Sequence, residues 1–372
     1  MPNRSFAAIL AVVCSFATAA AAASGEDAVS YQINAAHTGS VNFAAGFAPP
    51  LVRAWSGTFG NWQSSWPYPL IAKNTVFTVI DDTEVVAIDL ATGVQKWSAA
   101  LDCCWAVGAY DDGRLFYLNN AGKLVALSAK SGRKQWSADL SFQDSIVTPL
   151  IAAEGQVFTG AGNAVRAVDE QTGKLQWTRS FGSDLTIPAF GDGGVYAEYE
   201  CDFLKLAPHN GTTVWEMFQG CIGGGGMPVY SKHRVFFGEG DEEPYVASSI
   251  DGQMLGTYPS RSAAPVVFVD PRSGRLRGLT MDVAGGPINC WDAKSNKVLW
   301  SFGGDNQLII MPIVVNGIVF VGSQSGNLYA LDPRHGKELW RDNAGGAIQG
   351  MNAGQGTLVV VSGDKVVAYR PQ

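Results

Sequence analysis

The sequence predicts an all-β protein, an eight-bladed propeller of four-stranded blades, on three observations. Tryptophans recur at a nearly constant interval, each unit reads as four short strands, and an early strand supplies what the last unit lacks. Glycine is abundant, at 44 of 372 residues, and long helical stripes are absent. A hydrophobic fraction of 47% is enough to bury a large core.

The repeat is read from the segments that end in tryptophan. They are "VVAIDLATGVQKW" to Trp97, "LVALSAKSGRKQW" to Trp136, "VRAVDEQTGKLQW" to Trp177, "LKLAPHNGTTVW" to Trp215, "INCWDAKSNKVLW" to Trp300 and "LYALDPRHGKELW" to Trp340. A degenerate copy, "ASSIDGQMLG", carries Gly256 where the tryptophan belongs. Successive steps are 39, 41, 38, 41, 44 and 40 residues, and Trp55 precedes Trp97 by 42.

Within a unit, an apolar run such as "VTPLIAA" is followed by a turn, "QVFTGA", a Gly-Asn turn, "AVRAVD", a Thr-Gly turn and "KLQWTRSF". Short alternating runs punctuated by Gly, Asn and Asp are strand and hairpin signals. Four strands per unit of about 40 residues describe a propeller blade. The tryptophan falls on the outer strand, where its ring can pack between neighbouring blades.

Seven such units end at Trp340, and the remaining chain supplies three strands. The missing outer strand is "VRAWSGTF" around Trp55, so the N-terminal strand is expected to join the C-terminal blade and close the ring. Closure removes exposed sheet edges. Eight blades follow, with seven the alternative.

The chain opens with Arg4, an apolar run over 6–17 and an alanine run, the pattern of a secretory signal peptide cleaved near Ala23. Residues 1–23 are read as signal and 24–372 as a single propeller domain. Cys14 follows Val12 and Val13, where lipidation needs a small neighbour. No segment reaches the roughly 20 apolar residues of a membrane helix. The expected location is periplasmic or secreted. The chain holds 26 Lys+Arg against 33 Asp+Glu, and losing Arg4 takes the net charge from −7 to −8. Without basic runs, nucleic acid is excluded as a partner.

The "A-x-D-x-x-T-G-x-x-x-W" repeats, and the lead-in "YQINAAHTGSVNFAAGFAPPLVRAW", resemble the pyrroloquinoline-quinone-type propeller superfamily. That superfamily holds both quinoprotein alcohol dehydrogenases and the propeller lipoprotein of outer-membrane β-barrel assembly. The resemblance covers nearly the whole mature chain. It implies the fold and leaves function open, since one propeller hosts enzymes and scaffolds.

Connections between blades and turns between second and third strands share one face of a propeller. Cys103, Cys104 and Cys221 fall on inter-blade connections, and Cys201 on a second-to-third-strand turn. All are expected near the channel mouth. A Cys201–Cys221 disulfide is the preferred structural pairing, which an oxidising compartment permits. Cys290 aligns with Ala330 in a buried slot, as a small hydrophobe. Adjacent Cα atoms lie about 3.8 Å apart, below the usual disulfide range. Cys103 and Cys104 are therefore either two ordinary thiols or a strained, labile vicinal disulfide. The resemblance implies the second, because quinoprotein alcohol dehydrogenases carry such a pair against the cofactor ring.

A quinone site also needs a stacking aromatic ring, polar groups, a Ca²⁺-binding oxygen cluster and a carboxylate base. The channel-face connections offer Trp66 and Trp105 for stacking and Arg261 for a cofactor contact. Asp144, Asp184 and Asp305 are candidate bases, and Asp305 with Asn306 a candidate metal pair. Each is an ordinary loop residue in the alternative. The long insertions of the dehydrogenases are missing, and no arginine closely follows the cysteine pair.

His37, His209, His233 and His335 are too scattered for a metal cluster. "CIGGGGMP" sits in a β context, unlike a phosphate loop, and "GEGDEEPY" reads as a solvated acidic turn. Two functions follow. The first is a non-catalytic, monomeric binding or scaffold module taking a protein partner or small ligand at the channel mouth. The alternative is a compact oxidoreductase using pyrroloquinoline quinone with Ca²⁺.

Overall fold

A computed structural model of the chain describes residues 27–60, 68–101, 107–142, 148–161, 163–181, 187–199, 202–218, 226–238, 244–259, 264–281 and 285–372. Eight antiparallel four-stranded sheets form the ring, with no helix among the described residues. Blade 1 comprises Leu70–Ala72, Thr75–Ile80, Glu84–Asp89 and Gln95–Ala100, running from the axis outwards. Blades 2 to 7 repeat this order, with inner strands Val107–Asp111, Ile151–Ala153, Ala189–Gly191, Val229–Ser231, Val266–Val269 and Ile313–Val315.

Blade 8 takes Ile348–Gly354, Thr357–Ser362 and Lys365–Pro371 from the C-terminal end, and Leu51–Thr58 from the N-terminal end. This is the closure expected from the sequence, and it settles the count at eight. Leu51–Thr58 lies antiparallel to Lys365–Pro371, so the two chain ends share a ladder. Across the neighbouring seam, Arg53 Nε donates to Asp342 Oδ2 at 2.7 Å, and the Tyr369 hydroxyl donates to the same oxygen at 3.0 Å.

The repeated motif is spent on the seams between blades. In blade 1, Asp89 Oδ1 accepts from the backbone of Ala91 and Thr92 and from the Thr92 hydroxyl, which fixes the outer turn. Asp169 does the same with Thr172 in blade 3. The glycine that closes this outer turn is the seat for the tryptophan of the preceding blade. Trp55, Trp97, Trp136, Trp177, Trp215 and Trp300 cover Gly93, Gly132, Gly173, Gly211, Gly252 and Gly336. Each indole also donates across the seam, as Trp97 Nε1 does to the Ala129 carbonyl at 3.2 Å and Trp177 Nε1 to Pro208 at 2.6 Å. A ring of this size buries on the order of 200 Å², or about 5 kcal/mol of apolar transfer as an upper figure.

The degenerate blade confirms the rule by its exception. Where Gly256 replaces the tryptophan, the facing turn holds Asn296 in the glycine position. A side chain fits there because no ring covers it. The seam is filled instead from within by Trp291, fully buried, stacked on Tyr258 at 5.2 Å and packed over Gly278. Cys290 points into the opposite seam, fully buried, opposite Trp300.

Candidate functional site

The axis of the propeller is where the innermost strands expose one edge each, and unpaired strand edges require partners. Residues 27–41 supply them by winding around the axis. Ala28 exchanges two backbone bonds of 2.8 Å with Ile71 of blade 1, and Tyr110 of blade 2 donates to Val29. The Ser30 hydroxyl reaches the Leu150 carbonyl of blade 3 at 2.7 Å. Phe190, Tyr230, Val267 and Val314, on blades 4 to 7, then donate to Ala35, Ala36, Thr38 and Gly39 at 2.7–3.0 Å. Ser40–Val41 adds a short parallel strand to blade 7. Blade 8 joins through Asn352, whose amide donates to the Ser30 carbonyl at 3.1 Å and to Pro69 at 3.0 Å. Every blade thus touches this one segment.

The strand register places a second ring of backbone groups two residues before the bonded ones, toward the face that carries the inter-blade connections. In a β-strand the N–H and C=O of residues i and i−2 point to the same side. Pro69, Pro188, Pro228, Pro265 and Pro312 occupy this position in blades 1, 4, 5, 6 and 7, with Gly108 and Leu150 in blades 2 and 3. By this register their carbonyls turn to the axis side. Asn352 donates to Pro69, the Tyr68 hydroxyl to Gly108 at 2.8 Å, and Ser30 to Leu150. Proline has no N–H to leave unpaired on an open edge, which suits it to this place.

His37 belongs to the axial segment and is fully buried. Its ring lies edge-on to Tyr31 and faces the Pro228 carbonyl, and neither ring nitrogen completes a hydrogen bond with a described side chain. Burial pushes its imidazole down to about 4, against the pull of that carbonyl. The other histidines serve elsewhere: His233 pairs with Asp192 and His335 with Asp332, both at 2.7 Å.

Of the residues expected to hold a quinone and its metal, Asp305 and Asn306 are described. Asp305 lies between the outer strand of blade 6 and the inner strand of blade 7. Its Oδ2 accepts from the hydroxyls of Ser323 and Ser325 and from the Asn327 amide, and its Oδ1 from the Gln307 N–H. Partial burial pushes this carboxyl up, but the donors Ser325, Asn327 and Ser323 outweigh it and hold it at about 2. The carboxylate is the knot of a loop, with both oxygens engaged. Asn306 sits beside it in a turn, its N–H on the Gly303 carbonyl. Trp66, Cys103, Cys104, Trp105, Asp144, Asp184, Cys201, Cys221 and Arg261 lie outside the described residues, as do the glycine run 221–225 and the acidic residues 239–243.

Sequence reasoning missed the axial segment and the proline ring. The signal was present: a proline opens the inner strand of most units, in "YPL", "IPA", "MPV", "APV" and "MPI". Reading those prolines as edge markers requires knowing which strand faces the axis.

Ring, seams and axial segment define an eight-bladed propeller of the pyrroloquinoline-quinone-repeat type. The family model described as outer membrane protein assembly factor BamB matches residues 81–216, 150–278 and 202–372, and the chain belongs to that family. It is 24% identical over 303 residues to the outer membrane protein assembly factor BamB of Yersinia pestis, covering 77% of this chain and 68% of that protein. It is also 24% identical over 358 residues to the dehydrogenase subunit of a quinone alcohol dehydrogenase of Gluconobacter oxydans, covering 82% of this chain. The chain spans only 41% of that dehydrogenase. The solved structure of BamB from Moraxella catarrhalis superposes with a TM-score of 0.70, covering 86% of this chain and 99% of that one at 16% identity. No helix among the described residues is long and apolar enough to cross a membrane.

Proposed function

We propose that this chain is a non-catalytic, periplasmic scaffold propeller, acting as a monomer in outer membrane protein assembly. It takes a protein partner on the face of its inter-blade connections. The observation that carries this reading is the commitment of Asp305. A carboxylate whose donors are already supplied by its own loop is a weakened base and metal ligand, and Asp305 accepts three bonds on Oδ2 and one on Oδ1. Asp305, the one candidate base among the described residues, thus supports the scaffold reading, while Asp144 and Asp184 lie outside them. Family membership agrees with a scaffold.

Photo-crosslinkers at Thr83 and Gln324, exposed on the connection face, test the reading against one at Lys130 on the opposite face. Expected is a discrete adduct with an outer-membrane protein or its assembly machinery from the first two positions alone. In parallel, pyrroloquinoline quinone with Ca²⁺ is titrated against tryptophan fluorescence, in the natural protein and in Cys103→Ser/Cys104→Ser. Saturable binding that the double substitution abolishes would overturn the scaffold and make the chain a quinoprotein.

A further inference from the structure

Four adjacent blades, 4 to 7, turn the carbonyls of Pro188, Pro228, Pro265 and Pro312 toward the axis, and none of these residues carries an N–H. On the other side of the ring the matching carbonyls are occupied, by Asn352 on Pro69, Tyr68 on Gly108 and Ser30 on Leu150. Among the described residues no donor completes a hydrogen bond to Pro188, Pro265 or Pro312, and all four prolines are buried. The same arc holds the fully buried His37, whose ring faces the Pro228 carbonyl and completes no hydrogen bond with a described side chain. A neutral imidazole that donates to Pro228 has only a lone pair left to offer.

The arc is thus a wall of acceptors. A buried carbonyl without a donor costs about 1–3 kcal/mol, so a group that brings several N–H donors at once is favoured there. Anions are disfavoured, because the wall has neither N–H groups nor fixed cations among these residues. The net charge of −7 also favours a cation.

We infer that the Pro188–Pro228–Pro265–Pro312 arc, with His37, binds a protonated amine or guanidinium group. Two sources share this chemistry: a free polyamine and the side chain of a lysine or arginine on another protein. The inference does not rest on the scaffold reading, because a free polyamine needs no protein partner.

The test is calorimetric titration of the mature protein at 150 mM salt with spermidine and with a capped heptapeptide carrying three central lysines. Citrate serves as the anionic probe. Saturable binding of spermidine or peptide with Kd below about 1 mM, and none of citrate, is expected; the tighter of the two names the source. Pro265→Ala/Pro312→Ala places two N–H donors on the arc and should weaken binding about tenfold or more, in a protein whose melting transition shows that it is still folded. If that variant fails to fold, Pro188→Ala carries the same comparison. A folded protein that binds neither amine overturns the inference, as does equal binding in natural and proline-substituted proteins.

Discussion

The indole of Trp300 lies on Gly336 of the next blade so closely that a Cβ there would come within 2.5 Å of ring atom Cε3. The same ring donates through Nε1 to the Pro333 carbonyl at 2.9 Å, and Gly336 has a φ of +66°. Gly336→Ala therefore incurs left-handed backbone strain and overpacking together, about 2–4 kcal/mol. Gly356→Ala, at φ +71° with nothing within 4 Å, incurs only the first, about 1 kcal/mol. Urea unfolding of the two variants measures the difference; equal losses would mean the ring does not press on its seat.

Asn352 ties the last blade to both the axial segment and blade 1. Asn352→Ala leaves the buried carbonyls of Ser30 and Pro69 without their donor. A loss of about 3 kcal/mol is expected, with Asn352→Asp no better because a carboxylate cannot donate to either. Thermal unfolding of both variants checks this.

Acid should loosen the axis. His37 is held neutral, at about 4 in the folded protein against 6.5 when free. The unfolded chain takes up the proton first, so this contribution is present above pH 6.5 and is lost as the pH falls through about 4. The full loss is on the order of 3 kcal/mol. His37→Gln should flatten the stability curve between pH 6.5 and 4, read from urea midpoints across that range. An unchanged slope would place the acid sensitivity elsewhere.

Cys290 should be chemically silent. Burial pushes its thiol up to about 12, and the side chain is fully covered. Peptide mapping after iodoacetamide treatment at pH 8 should find it unmodified in the folded protein and alkylated after denaturation. Modification of the native protein would show that the blade 6–7 seam opens.

The ring was legible because its seams are written in a repeating code of Asp, Thr or Ser, Gly and Trp, in which each residue has one local task. The count of eight followed once "VRAWSGTF" was assigned to the last blade, and Cys290 was placed by its alignment with Ala330. The axial segment was not legible in the same way. Its bonds to the inner strands run through backbone groups, and Ala28, Ala35, Ala36 and Gly39 carry no side-chain mark of that task. Asp305 was visible as a carboxylate in a connection, but its partners Ser323, Ser325 and Asn327 lie about 20 residues on, across a hairpin. Sequence order alone could not show that they consume it.

The axial segment has a consequence in time. Residues 28–41 are synthesised before any blade exists, yet their partners are spread from Ile71 to Asn352, and Leu51–Thr58 waits for Lys365–Pro371. Contacts of such separation form late, after the intervening chain has ordered. Residues made before the blades are thus expected to settle late, because their partners are contributed by every blade of the ring. A chain stalled at six or seven blades keeps its leading end free, so an unfinished molecule is marked by its own beginning.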